Sequence, residues 1–395
     1  MKYVYCHHPS KLATIMVGFG AGSRVEHQSK YPKGIAHVME HSRFLGTEAY
    51  TAKDLSRKLA LQGGGWNAFT SQDMVCYHIT LPEENLEEGL KVLSEVVMRP
   101  AYPQDKLDKE LEVICQEARM YDDDIGSLVS KRLYERVFTN PLHTPIIGFE
   151  DSIRQITRQH LLDFNNEFYG PEKMSVVLAA PNNAQALVRR YLVPDTSLID
   201  LNPRTEAEYA PGFEDVVVKD GQIQNTLVLA FGSRELGKLY ESEAKTELFN
   251  RVFGCGDVSR LFLKVREDLG LVYSIHSGFS EHLDGSLYTI STLTEPGNQQ
   301  QVIDAIEGEI QRMLKEPPTP EELQMAKNKF KSRVYGQFDS SMGAASDAMG
   351  ELLCGSKSVK ELVAEVNSIT ADDLMDIARI VFSNNRYFII GKGQN

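Results

Sequence analysis

Two histidines and a glutamate in one short segment have the types and spacing to hold and use a metal ion. The segment runs from His37 through Glu40 to His41 and has the pattern H-x-x-E-H. On a helix, residues four apart lie about 40° apart around the axis, so His37 and His41 can present their imidazoles to one ion. Glu40 projects from the same side, where it could accept a proton from a water on that ion. This chemistry is typical of zinc, which lowers the pKa of a bound water to around 7.

Hydrophobic patterning predicts the elements that must position this motif. We predict a strand at 13–20, a helix through the motif, a helix at 52–61, a strand at 74–81, a helix at 86–98 and a further helix that begins at Pro103. Leu107, Leu111, Ile114 and Ala118 mark the buried face of that last helix. A catalytic zinc site needs three protein ligands and one open position, so a third ligand must come from outside the motif.

The second half of the chain repeats this order of elements. We predict strands at 226–231 and 286–292, helices at 243–252 and 299–314, and a helix that Thr319 and Pro320 cap and begin. The similarity of AYPQDKLDKEL to PPTPEELQMAKNKF indicates an internal duplication. Residues 193–221 are rich in Pro, Asp and Glu and read as a linker. The sequence therefore predicts a zinc-binding domain at 1–195 and a second, similar domain at 210–395.

The composition of the chain limits which partners it can bind and in which cellular compartment it is expected. The net charge of −13 argues against binding to nucleic acid or to an anionic membrane, because both need a basic surface. The five cysteines are odd in number and form no CxxC pair, which favours reduced thiols over disulfides or a thiolate zinc site. The sequence shows no signal-like segment and no membrane-spanning apolar run, so a cytoplasmic location is expected.

The residues around the motif extend it to GIAHVMEHSRFLGT, which closely resembles the zinc-motif block of the insulinase/pitrilysin family of metallopeptidases. In that family the third ligand is a glutamate about 75–80 residues past the second histidine, with another glutamate seven residues before it. Glu117 lies 76 residues past His41 (117 − 41), and Glu110 lies seven residues before Glu117. The resemblance therefore implies that Glu117 is the third ligand and that Glu110 orients a ligand histidine or water.

Two further segments resemble the same family. GGGWNAFTSQDMVCYHITLP is similar to its edge-strand segment, which implies that an extended peptide pairs with the backbone along Asn67, Ala68, Phe69 and Thr70. DVSRLFLKVREDLGLVYSIHSGF resembles its other recurring block. There the resemblance implies that Arg266 and Tyr273 hold the substrate and stabilise its developing oxyanion.

The resemblance covers nearly the whole chain and implies both a fold and an activity. The expected class is α+β: two similar domains with the fold of mitochondrial processing peptidases, each a mostly antiparallel sheet covered by helices on one face. Short members of the family pair two chains around a chamber, so a homodimer is expected. The implied function is a zinc metalloendopeptidase with one Zn²⁺ per chain, Glu40 as general base, and peptides or unfolded polypeptides as substrates.

Three alternatives remain at this level. Some relatives are non-catalytic subunits of larger complexes, although these typically lose motif residues that this chain retains. A dedicated processing enzyme for one precursor would carry the same motifs as a general oligopeptidase. A hydrolase of substrates other than peptides is a third alternative, which the strand-binding segment disfavours.

Overall fold

The structure, a computed structural model, describes residues 2–27, 30–139, 141–192, 207–282 and 285–394. The chain forms two compact units. Unit 1 comprises Met1–Arg119, Thr144–Pro203 and Tyr335–Ser358. Unit 2 comprises Met120–His143, Arg204–Val334 and Val359–Asn395.

Unit 1 is built on a five-stranded mixed sheet. Its strands are β1 (Lys2–His7), β2 (Leu12–Phe19), β3 (Gly65–Thr70), β4 (Val75–Pro82) and β5 (Met174–Ala180). They lie in the order β1-β5-β2-β4-β3. β1 pairs with β5 in parallel, and the other neighbours pair antiparallel. The strand β3 therefore lies at an edge of this sheet.

Unit 2 repeats the same sheet. Its strands are β6 (Phe213–Val218), β7 (Asn225–Ser233), β8 (Val272–His282), β9 (Gly285–Thr294) and β10 (Asn385–Lys392). Their order is β6-β10-β7-β9-β8, with β6 and β10 parallel and the remaining pairs antiparallel. The shared order and the shared position of the parallel pair confirm the predicted duplication and the α+β class.

Helices surround both sheets. In chain order they are α1 (Ile35–Ser42), α2 (Ala52–Leu61), α3 (Leu86–Met98), α4 (Gln104–Asp123), α5 (Ile125–Val137), α6 (Glu150–Ile153), α7 (Arg158–Phe168), α8 (Gln185–Tyr191), α9 (Arg234–Lys238), α10 (Glu243–Phe253), α11 (Gln299–Lys315), α12 (Pro320–Gln337), α13 (Ser341–Cys354), α14 (Val359–Ser368) and α15 (Ala371–Phe382). A π-helical segment, Phe262–Asp268, precedes β8. The motif lies on α1, and α2 and α3 have the predicted bounds.

Side chains alternate between the two faces of the unit 1 sheet, as the pleat requires. Tyr77 and Ile79 of β4 belong to the larger core, which α1, α3, α4 and α7 help to form. Cys76 points to the opposite face and packs in a second cluster with Ala345 and Met349 of α13. The expectation of helices on one face is therefore wrong for this unit, because α13 covers the second face.

Unit 2 has the equivalent arrangement. Val228 and Ala230 of β7 pack with Val129 and Leu133 of α5, while alternate residues of β7 face the larger core. The helix α5 comes from the first half of the sequence and α13 from the second half, so the compact units differ from the predicted contiguous division at 1–195 and 210–395. Amphipathic patterning shows that each helix buries an apolar face, but not which sheet that face covers.

Part of the predicted linker, residues 193–206, lies outside the described residues. In the ranges that the structure describes, none of the helices combines the length and the apolar character needed to cross a membrane. None of the five cysteines, all of which lie in the described ranges, forms a disulfide.

Candidate metal centre

The helix α1 is amphipathic over only eight residues. Ile35, Ala36, Val38 and Met39 are fully buried in the core of unit 1. His37 and His41 lie on the other side, four residues apart, with their ring centroids 4.6 Å from each other. The buried residues thus fix the helix against the sheet, and the two imidazoles are left facing one small region of space.

The long helix α4 brings two carboxylates to this region. Leu107 and Ile114 are fully buried, and Leu111 and Ala118 pack against the same core. Glu110 and Glu117 each follow a buried residue by three positions, which places both at the edge of the apolar stripe.

His37, His41 and Glu117 form a group that could hold a metal ion. One donor atom from each lies within 4.8 Å of the other two. The Glu117 Oε2 oxygen is 4.0 Å from His37 Nε2 and 3.8 Å from His41 Nε2. A tetrahedral Zn²⁺ with bonds of about 2.0–2.2 Å holds its ligand atoms roughly 3.4 Å apart. Two imidazoles and a carboxylate are donor types that zinc prefers. The distances between their donor atoms would have to shorten by about half an ångström to match a tetrahedral zinc site.

The contact between His41 and Glu110 fixes which nitrogen of His41 is free. His41 Nδ1 lies 2.9 Å from Glu110 Oε1. A carboxylate accepts hydrogen bonds and does not donate them, so Nδ1 carries the proton and Nε2 keeps its lone pair. That lone pair is on the nitrogen nearest Glu117. A carboxylate that orients a ligand histidine in this way is a recurring feature of zinc sites.

The two histidines have different electrostatic environments. Burial, together with the charge of His41, lowers the pKa of His37 to about 3, so His37 is neutral and able to donate its lone pair. Burial also lowers the pKa of His41. The hydrogen bond that His41 donates to Glu110 and the negative charges of Glu40, Glu110 and Glu117 outweigh this effect, so the pKa of His41 is raised overall.

Glu40 lies beside this group, where its charge interacts with those of His41 and Glu117. Glu40 is 9% exposed, and burial raises the pKa of its carboxyl group. The Thr70 hydroxyl donates a hydrogen bond to Glu40 Oε2, which opposes that rise. A carboxylate with a raised pKa that remains able to exchange a proton suits general acid–base chemistry.

The predicted peptide-binding residues lie on the edge strand β3. Asn67 is exposed, and its side-chain Oδ1 accepts a hydrogen bond from the backbone N–H of Ala68. Ala68, Phe69 and Thr70 are partly buried. Thr70 therefore has a contact with Glu40 that the sequence did not predict, in addition to its place on the edge.

Arg266 and Tyr273 lie close together in unit 2. Arg266 is on the π-helical segment, and its Nε donates a hydrogen bond to the backbone carbonyl of Tyr273 at 3.3 Å. Its guanidinium also pairs with Glu267 and lies 5.5 Å from the centre of the Phe262 ring. Tyr273 is 87% exposed. Their predicted role in substrate binding remains a prediction.

Sequence reasoning missed two buried ionisable side chains next to α1. Glu26 precedes the helix and Arg43 follows it, and both side chains are completely buried. Charged residues are rarely buried without a specific partner, so their types gave no sign of their location. Only their nearness to the motif in the sequence could have drawn attention to them.

Comparison with known proteins shows which family of proteins the chain is similar to. Residues 3–149 match a family model described as insulinase (peptidase family M16), and residues 155–330 match a model described as the M16 inactive domain. A protein from Bacillus subtilis named as an uncharacterised zinc protease is 28% identical over 94% of this chain and 90% of its own length. One of the same description from Rickettsia bellii is 28% identical over 92% of this chain and 88% of its own length.

Solved structures have the same fold. A protease from Helicobacter pylori superposes with a TM-score of 0.87 at 20% identity, covering 99% of this chain and 96% of that one. A protein described as a peptidase M16 inactive domain, from Pseudomonas fluorescens, has a TM-score of 0.81 at 20% identity and covers 100% of this chain and 95% of that one.

Proposed function

This chain belongs to the insulinase (M16) peptidase family, and from that premise we propose that it is a zinc-dependent metalloendopeptidase with one zinc ion per chain. The observation that supports this most is the convergence of His37, His41 and Glu117, with Glu40 beside them. The substrates are peptides or unfolded polypeptides, bound as an added strand along β3. A cytoplasmic location stays a prediction from the sequence.

The proposed chemistry is attack of water on a peptide carbonyl. A zinc ion held by these three residues would act as a Lewis acid and lower the pKa of water to around 7. Glu40 takes the proton of the attacking water and returns it to the leaving amine. Thr70 holds the Glu40 carboxylate in place, and Glu110 holds His41 in the tautomer that leaves Nε2 free.

A comparison of three proteins tests this function. Wild type, Glu40→Gln and Glu117→Gln are incubated with a mixed peptide library, and the products are identified by mass spectrometry. We expect cleavage by wild type, its loss with a chelator and its return with zinc. Glu40→Gln should lose at least about two orders of magnitude in rate, which is typical when a positioned general base is removed. Near-normal cleavage by Glu40→Gln would show that the proposed mechanism is wrong.

We further propose that the active site is completed by a second copy of the chain, in a homodimer that encloses a chamber. Arg266 and Tyr273 of one subunit would stabilise the oxyanion at the zinc site of the other. The exposure of Tyr273, at 87%, and its nearness to Arg266 support a role for this pair in contacting another molecule.

Mixing two inactive variants tests the shared site. One is Glu40→Gln and the other combines Arg266→Ala with Tyr273→Phe. Sharing between subunits leaves each mixed dimer with one intact site, so activity should return after the subunits exchange. A mixture of Glu40→Gln with Glu117→Gln is the matched control. It should stay inactive, because each subunit then carries a damaged zinc site. No recovery in the first mixture, with exchange verified by mass, would contradict sharing.

A further inference from the structure

A buried glutamate caps the N-terminus of α1 from outside the helix. Glu26 is 0% exposed. Its two carboxylate oxygens accept hydrogen bonds from the backbone N–H of Gly34 at 2.8 Å and of Ala36 at 2.9 Å. The first N–H groups of a helix have no partner within it, so this one side chain satisfies two of them.

The cap has to be non-local because the residue at the N-cap position has no side chain to offer. Gly34 has φ 90°, and a Cβ at this position would lie 2.5 Å from the carbonyl oxygen of Ile147. Both the backbone conformation and the close approach require glycine there. A carboxylate at a helix N-terminus also interacts favourably with the helix dipole.

A buried arginine holds the other end of α1. Arg43 follows the last helical residue and is 0% exposed. Its guanidinium donates hydrogen bonds to the Val97 carbonyl and to Asn165 Oδ1, the latter at 2.5 Å. Its central carbon lies 4.4 Å from the centre of the Tyr169 ring and 5.6 Å from that of Tyr77.

The surroundings of Arg43 are carbonyl groups and aromatic rings. Within the part of the chain that the structure describes, Arg43 has no carboxylate within 4.0 Å. Its charge is balanced by the free carbonyls at the C-terminus of α3 and by the faces of aromatic rings. Removing a guanidinium from water remains costly even so. An apolar residue of similar size would avoid that cost but could not make the hydrogen bonds that fix this end of α1. We infer that the position requires those hydrogen bonds.

We propose that Glu26 and Arg43 are positioning residues that hold the two ends of the zinc-binding helix through the hydrogen bonds of their buried side chains. The proposal rests on the proposed function, since it assigns these residues to the metal centre. An eight-residue helix carries His37, Glu40 and His41, and few hydrogen bonds within so short a helix resist its rotation or fraying. Anchors at both ends keep the three side chains aimed at one point.

Positioning of this kind predicts a loss of function that exceeds the loss of stability. A displacement of about 1 Å in a reacting group can reduce the rate by about a hundredfold. We therefore expect Glu26→Gln and Arg43→Met each to weaken zinc binding by about tenfold or more and to lower kcat, with little change in KM. Glutamine keeps one acceptor oxygen, so Glu26→Gln is the milder variant and guards against the case in which Arg43→Met fails to fold.

Glu322→Gln is the matched control, because Glu322 also accepts a hydrogen bond from a backbone N–H at a helix N-terminus, in unit 2. It accepts a hydrogen bond from the Thr319 N–H at the start of α12 and pairs with the buried Arg260 at 2.8 Å. Zinc affinity by chelator competition, kcat, KM and thermal stability are measured for wild type and all three variants. We expect the control to lose stability while its zinc affinity stays within about twofold of wild type.

The outcomes separate the two proposals. If the Glu26 and Arg43 variants keep the zinc affinity and kcat of wild type, or lose no more than Glu322→Gln at equal stability, then these residues are only structural and the inference is overturned. If wild type itself neither binds zinc nor cleaves peptides, the proposed function fails before the variants are compared.

Discussion

Replacing Glu110 by glutamine should weaken the metal centre without removing any of its ligands. Glu110 contacts His41 Nδ1 at 2.9 Å and lies seven residues before Glu117 on α4. Glutamine has nearly the same shape, and its side-chain oxygen can still accept a hydrogen bond from His41 Nδ1–H. The substitution therefore removes the negative charge and leaves the hydrogen bond and the tautomer of His41 in place.

The size of the effect follows from the difference between charged and neutral hydrogen bonds. A hydrogen bond to a charged group contributes about 1.5–3 kcal/mol and a neutral one about 0.5–1.5 kcal/mol, so the change is roughly 1 kcal/mol. The Glu110 side chain is 24% exposed, so solvent screens part of its charge and the change in binding free energy should not exceed this value. Since about 1.4 kcal/mol corresponds to a tenfold change, the zinc dissociation constant should rise about fivefold. Glu110→Leu leaves a polar N–H without a partner and should cost more, up to about a hundredfold.

Competition with a zinc-binding dye at fixed pH measures this constant. The control is Glu112→Gln, on the same helix, where the carboxylate pairs with Arg154 and not with a histidine. We expect wild-type affinity from the control and an ordered loss from Glu110→Gln to Glu110→Leu. An unchanged constant in Glu110→Gln, or a loss equal to that of the control, would refute the idea that Glu110 supports His41.

Three more predictions follow from the same site. Thr70→Val removes the hydrogen bond that lowers the pKa of Glu40, so the acidic limb of the kcat/KM profile should move to higher pH, while Thr70→Ser should keep the wild-type limb. The raised net pKa of His41 means that protons compete with zinc more strongly as the pH falls, so equilibrium dialysis should show zinc release beginning above the pH expected for an ordinary histidine. If substrates add a strand to β3, an unfolded chain should be cut and a stably folded domain of the same sequence spared, and efficient cleavage of the folded form on a gel would count against strand addition.

How far the sequence predicts the site depends on the residue. The helical spacing of His37 and His41 follows from local geometry, and the structure brings their rings side by side. Glu117 could be chosen only from the resemblance, because no local rule connects residues that far apart. The cap from Glu26 and the aromatic surroundings of Arg43 depend on tertiary packing, so only the folded structure shows them.

The fold shows the same limit. Strong periodicity predicted α2 and α3 with their observed bounds, because apolar spacing and the capping box of Thr51 with Asp54 are local signals. The helices α5 and α13 also have apolar faces, yet each packs on the sheet of the unit that the other half of the sequence dominates. Which sheet an amphipathic helix covers is a property of the whole chain, and a pattern within the helix does not contain it.

The zinc content of three purified proteins tests the central claim most directly. Metal per chain is measured by mass spectrometry for wild type, Glu40→Gln and Glu117→Gln after identical dialysis. If His37, His41 and Glu117 hold the ion and Glu40 acts only as a base, wild type and Glu40→Gln should each retain about one zinc per chain and Glu117→Gln should lose most of it. Loss of zinc from Glu40→Gln, or full retention by Glu117→Gln, would contradict this assignment of ligands and base.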